Sequence, residues 1–173
     1  MFINIRKTYG RLDILINNAG LYASSYIALT PIQSVESIFK TNFIGTFLCC
    51  REAIKIMQKN KFGRIINISS IAVDLGHPGS AVYSSSKAAV EQFSKVLAKE
   101  VAKHGITVNT LSLSFTKGGG ITQSVNQELI SKTLKELNSN NLVDIRNIVD
   151  AINFFISPKN SLITAQILRI GNN

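Results

Sequence analysis

The sequence predicts a single α/β domain, residues 1 to 173, built as a Rossmann-like, doubly wound parallel sheet with helices on both faces. Three observations lead there. The strand candidates "LDILIN", "RIINIS" and "ITVNTLSL" are continuous apolar-rich runs rather than alternating ones, the pattern of strands buried on both faces. Segments with helical periodicity and more than about 10 residues separate them, which implies βαβ units. At 173 residues, 45% hydrophobic and 17% charged, the chain has the composition of one ordinary globular core.

Taken in order, "MFINIRKTYG" reads as the end of a helix closed by Gly10, and the run from Leu12 to Ile16 as the first strand. "SVESIFKTNFIGTFLCCREAIKIMQKN" follows with Val35, Ile38, Phe39, Phe43 and Phe47 stacked on one side of a continuous helix that ends before Phe62-Gly63. "RIINIS" is the second strand. From Ala81 to Lys103 the apolar residues Val90, Phe93, Val96, Leu97 and Val101 recur at helical spacing, and Gly105 stands where a helix C-cap glycine belongs. "ITVNTLSL" is the third strand. Gly118 to Gly120 predict a mobile loop, a polar helix covers Val125 to Leu137, another runs from Ile145 to Ile156 before Pro158, and "ILRI" is a fourth short strand.

Several function classes are excluded by composition. No apolar run approaches the roughly 18 residues of a membrane span, and the first residues lack a secretory h-region, so the expected location is cytoplasmic. Cys49 and Cys50 are adjacent and lack metal-ligand spacing, so they read as reduced core residues and no metal site is expected. The net charge of +9 is spread along the chain. Lys95, Lys99 and Lys103 line one helix face, with Lys99 set against Glu91, and without aromatic interleaving this reads as a solvated face rather than a nucleic-acid surface.

The chemistry is concentrated around "AVYSSSKAAVEQF". Tyr83 and Lys87 lie one helical turn apart on one face. A phenol with an ordinary pKa near 10 is a poor base at neutral pH, and a neighbouring ammonium favours its phenolate. Such a pair suits proton transfer to or from an alcohol or carbonyl oxygen. Ser70 ends a strand, where parallel sheets bind ligands, and could hold a substrate oxygen. Asn42 is an amide inside an apolar helix, a costly placement without partners. Asn17 to Gly20, "NNAG", end the first strand in a turn open to close backbone approach. Each has a plainer alternative: Ser70 as a cap, Asn42 as a satisfied core amide, "NNAG" as a simple turn.

Together, "LDILINNAG", "TNFIGTF", "GRIINISSIA", "YSSSK" and "GITVN" stand in the order and at the spacing of the short-chain dehydrogenase/reductase family, and the chain resembles its C-terminal two-thirds. The match is close from Arg6 to Asn109 and looser beyond. The resemblance implies a catalytic set of Asn42, Ser70, Tyr83 and Lys87: Tyr83 as acid/base, Lys87 lowering its pKa and binding the nicotinamide ribose, Ser70 orienting the carbonyl, and Asn42 completing a proton relay through water. It implies an NADP or NAD cofactor, NADP slightly favoured, lined by Asn18, Ala19, Gly20, Tyr83, Lys87 and Thr116. Within the family the chain is most similar to 3-oxoacyl-acyl-carrier-protein reductases of fatty acid biosynthesis. That similarity implies hydride transfer to a small-molecule or acyl-thioester carbonyl, with Lys61 and Lys103-His104 placed to meet an acidic acyl carrier protein. The helices Ser34 to Lys59 and Ala81 to Lys103 correspond to those of family dimers, so a homo-oligomer, or association with a homologue, is expected.

The sequence also departs from the family. The Gly-rich T-G-x-x-x-G-x-G turn and the first three strands of a sheet ordered 3-2-1-4-5-6-7 are not among these residues, which correspond to strands 4-5-6-7. "LDILIN" is then expected to be an edge strand. The usual Pro-Gly after the third strand reads Leu113-Ser114, with Gly118 near the usual threonine; the usual Thr-Gly reads Thr164-Ala165, and the final Gly-Gly reads Asn172-Asn173. These departures set a catalytically inactive, truncated remnant, at most associating with a full-length homologue, beside the oxidoreductase as the alternative expectation.

Overall fold

The computed structural model describes residues 1–171; the Asn172-Asn173 departure lies outside them. Helix α1 (Phe2–Tyr9) is closed by Gly10, whose φ of 69° is the left-handed conformation glycine accepts freely. Strand β1 (Ile14–Asn17) leads through an exposed turn to α2 (Ile32–Phe39), a π-turn (Lys40–Ile44) and α3 (Gly45–Asn60). Strand β2 (Gly63–Ser70), the short α4 (Ala72–Leu75), α5 (Ala81–Val101) and β3 (Ile106–Leu113) follow. The chain closes with α6 (Gly120–Ser124), α7 (Gln127–Glu136), α8 (Ile145–Ile156) and β4 (Ile167–Ile170). The Asn126 and Asp144 side chains start α7 and α8 by accepting the backbone N–H groups of Glu128 and Arg146, both at 2.9 Å.

The four strands pair in parallel in the order β1-β2-β3-β4, as expected for 4-5-6-7. Ile66 opposes Asn109 and Ser70 opposes Leu113 on the β2–β3 ladder. Apolar residues go to both faces. On one side Ile65, Ile106 and Val108 pack with Cys50, Ala53 and Met57 of α3 and Leu97, Ala98 and Val101 of α5. On the other, Ile66 and Leu111 pack with Ile148 and Phe155 of α8. The sheet is thus doubly wound.

Several polar groups inside the first layer are paired, although the buried Thr110 and Ser112 hydroxyls of β3 have no hydrogen-bond partner among the described residues. Asn17 Nδ2 donates to Asn67 Oδ1 at 2.8 Å, and Asn67 Nδ2 to Ser94 Oγ at 2.8 Å, tying β1, β2 and α5 together. Glu91 does not meet Lys99 as the sequence suggested: it is buried and accepts from Ser69 Oγ at 2.6 Å, because its helical position faces β2. Cys50 is buried, its thiol pushed up to about 12 chiefly by burial, and both cysteines are free. The two polypeptide turns that close α3 and α5 meet, with Lys61 (φ 50°) against Gly105 (φ 69°).

Other expectations are corrected. Burial on both faces holds for β2 and β3 but not for β1, the edge of the described sheet, where Ile14 and Ile16 remain 40% and 42% exposed. The continuous helix before Phe62 is two helices joined by the π-turn, so Ile38 is buried while Phe47 stays 40% exposed. The glycine loop is shorter than expected: Gly120 opens α6, and the Thr116 N–H is fixed to Thr122 Oγ1 at 3.1 Å.

Candidate active site

In a parallel sheet all strands end on one side, so the C-terminal ends of β1 and β2 and the start of α5 share one rim. Tyr83 sits in the first turn of α5, 4% exposed, with the ring of Tyr22 packed edge-on at 4.9 Å between centroids. The Ser70 hydroxyl, which accepts the Ala72 N–H at 3.2 Å, is close enough to the phenol to influence its titration. Burial pushes the phenol above its ordinary value; Ser70 pulls it back and Tyr22 adds to the rise.

Lys87 follows one turn later, 4% exposed, and its Nζ donates to the Ile68 carbonyl at 2.9 Å. Burial lowers its pKa from 10.5 to about 8. The ammonium stands 5.9 Å from the centre of the Tyr83 ring. Burial is the largest influence on the phenol and moves it upward, opposite to the direction in which a neighbouring ammonium acts.

Asn42 is 1% exposed at the centre of the π-turn. A π-turn widens the helix by one residue and releases backbone groups from the i→i−4 ladder, which is why such turns recur at functional sites. Here the Asn42 carbonyl accepts from Thr46 Oγ1 at 2.8 Å. The Asn42 side chain reaches the segment after β1, accepting Leu21 N–H at 2.7 Å and donating to Leu21 O at 2.9 Å. Its amide is therefore a satisfied core group as well as a site residue.

Gly20 closes the arrangement. A methyl group there would come within 3.3 Å of Lys87 Nζ and 3.5 Å of Asn42 Oδ1. Asn18, Ala19 and Gly20 are exposed at the rim. Asn42, Ser70, Tyr83, Lys87 and Gly20 are thus brought together from four segments: the π-turn, β2, α5 and the stretch after β1. Thr116 is not joined to them by any hydrogen bond among the described residues; its hydroxyl donates to the Ser114 carbonyl at 3.3 Å and it bridges to Val143. A groove of about 540 Å³ between α1 and β1, lined by Ile5, Tyr9, Arg11, Leu12, Asp13 and Ile14, lies at the opposite strand end and takes no part in this chemistry.

Sequence reasoning missed Tyr22, the Leu21 backbone and Ser86, which accepts from Asn42 Nδ2 at 2.9 Å. Tyr22 could have been noticed as an aromatic two residues after "NNAG"; nothing local marked Ser86 or Leu21. No helix among the described residues is long and apolar enough to cross a membrane, and among them no group of three or more His, Cys, Asp or Glu could hold a metal ion.

The chain is similar to several known proteins. The sequence profile of a family described as short chain dehydrogenase matches residues 1–130. The 3-oxoacyl-[acyl-carrier-protein] reductase FabG of Vibrio cholerae is 34% identical over 166 residues, covering 96% of this chain and 68% of the relative. A 3-oxoacyl-[acyl-carrier-protein] reductase of Synechocystis is 39% identical over 122 residues, covering 70% and 49% respectively. The solved structure of ElxO with NADP bound matches with a TM-score of 0.86 at 32% identity, over 97% of this chain and 69% of that one.

Proposed function

The chain belongs to the short chain dehydrogenase family of oxidoreductases, and from that premise we propose that it works with NADP or NAD, NADP favoured, to interconvert a carbonyl and an alcohol, with a 3-oxoacyl thioester as the substrate class. The observation that carries the proposal is the buried pair Tyr83 and Lys87, one helical turn apart with the ammonium 5.9 Å from the phenol ring, at the strand ends beside Ser70, Asn42 and Gly20. The phenol holds a proton at neutral pH and so has one to give a carbonyl oxygen; burial makes it a weaker acid, and the Lys87 ammonium one turn away is the charge placed to offset that.

The residues present fit a nicotinamide cofactor. The bare Cα of Gly20 lets a ligand approach a rim that a methyl group would crowd. One of the three Lys87 N–H groups goes to Ile68, which leaves two for ribose hydroxyls, and the exposed backbone of Asn18 to Gly20 flanks the same place. Thr116, on the loop after β3, is the further contact in this reading. When bound, the nicotinamide supplies the hydride that reaches the carbonyl carbon. Ser70 orients the carbonyl oxygen, Tyr83 gives it the proton, and Lys87 with Asn42 returns a proton to the phenolate through water.

The names of the relatives support an acyl carrier protein as the group presenting the substrate, and the basic Lys61, Lys103 and His104 are its docking residues in this reading. The test is reduction of a 3-oxoacyl thioester by NADPH with purified protein, followed as loss of NADPH absorbance. Tyr83→Phe should lower turnover at least about a thousandfold with an unchanged fold. Full turnover in that variant, or no cofactor binding by the parent protein up to millimolar NADPH and NADH, overturns the proposal.

A further inference from the structure

Ser86 lies inside the Tyr83–Lys87 turn and is 0% exposed, and its hydroxyl connects the two halves of the site. The connection has a fixed direction. Leu21 N–H needs an acceptor, so Oδ1 of Asn42 must face it, and Nδ2 must then donate its two hydrogens to Leu21 O and Ser86 Oγ. Ser86 Oγ, with its acceptor side taken, donates its own proton to the Tyr83 carbonyl at 2.7 Å. The chain of donors therefore runs from the segment after β1, through the π-turn, into the first turn of α5.

We propose that Ser86 is a positioning residue that locks the Asn42 amide and thereby couples the cofactor-side end of β1 to the helix bearing Tyr83 and Lys87. The proposal deepens the oxidoreductase reading and rests on it for its catalytic consequence. Its structural content is independent of any ligand. Only a residue that both accepts and donates can serve, because Asn42 offers a hydrogen and the Tyr83 carbonyl offers lone pairs. Alanine, though the better helix former, leaves a buried Nδ2–H without an acceptor.

The experiment has two arms on the intact protein. Per-residue amide hydrogen exchange, measured without substrate or cofactor, compares the parent with Ser86→Ala. The Leu21 amide should exchange about tenfold faster, the size expected when a buried donor loses its partner and its amide is freed to rotate, while Ser94 to Leu97 in α5 keep their protection. An unchanged Leu21 amide overturns the proposal, and so does a general loss of protection along α5, which would make Ser86 a plain structural residue.

The second arm measures carbonyl reduction in a double-mutant cycle. Ser86→Ala should lower kcat about tenfold in the parent and have no further effect in an Asn42→Ala background, since the residue acts through that amide. Additive losses overturn the coupling. If Tyr83→Phe keeps full turnover, the functional reading falls by itself, and the Leu21 exchange result still decides whether Ser86 holds the two elements together.

Discussion

Lys87 should be a stability liability below pH 8, and removing its charge should show it. The side chain is 4% exposed, and burial brings its pKa from 10.5 to about 8. At about 1.36 kcal/mol per unit, that fall means the folded protein is destabilised by about 3 kcal/mol while the group is charged in both states. Between pH 8 and 10.5 the unfolded chain keeps the proton and the folded one sheds it, so stability rises with pH by up to about 1.4 kcal/mol per unit and the penalty fades. Lys87→Met retains an unbranched stem without the charge, and forfeits the hydrogen bond to Ile68, worth about 1–2 kcal/mol. The variant should therefore be more stable than the parent by about 1–2 kcal/mol at pH 7, roughly 2–8 °C in Tm for a chain of this size. That advantage should vanish by pH 10, and carbonyl reduction should be lost. Urea titrations of both proteins at pH 7 and pH 10 provide the comparison. A variant no more stable than its parent at pH 7, or an advantage equal at both pH values, refutes the reasoning.

Two further outcomes are expected. Gly105→Ala should destabilise the fold by about 3 kcal/mol, from about 1–2 kcal/mol for a left-handed alanine plus a methyl driven into the Lys61 carbonyl, and a loss below about 1 kcal/mol in a denaturant titration would contradict the account. The apolar patch of Ile44, Phe47, Leu48 and Val96, continuous through the Phe47–Phe93 ring contact, should mediate self-association of the α3 and α5 faces; Phe47→Glu should shift the protein to monomer in sedimentation, and a parent already monomeric at micromolar concentration would dispose of the idea.

Much of the fold was legible where a strong period met a strong punctuation mark. The last major helix, Ile145–Ile156, was stopped by Pro158, and α5 was marked by its helical apolar spacing and Gly105. Of the candidate site, Ser70, Tyr83 and Lys87 were legible because they occupy a strand end and one helix turn, positions that a parallel sheet brings to one rim. What stayed hidden depends on tertiary environment. The π-turn is invisible in the residues because Ile38, Phe39, Phe43 and Phe47 keep an almost helical spacing across it, and only packing decides where the extra residue goes. The inward turn of Glu91 and the upward push on the Tyr83 phenol follow from which groups surround them, which no local pattern encodes.

The π-turn also changes what a difference in chain length would mean. Each residue of an α-helix advances the side chains by about 100°, so the wider turn at Lys40–Ile44 acts as a phase shift between α2 and α3. It lets Ile38 upstream and Cys50, Ala53 and Met57 downstream all face inward while Asn42 stays buried between them. In an exposed loop a lost or gained residue alters only slack. Across this turn it would rotate one helix against the other, so the segment encodes the site in its residue count as much as in its side chains.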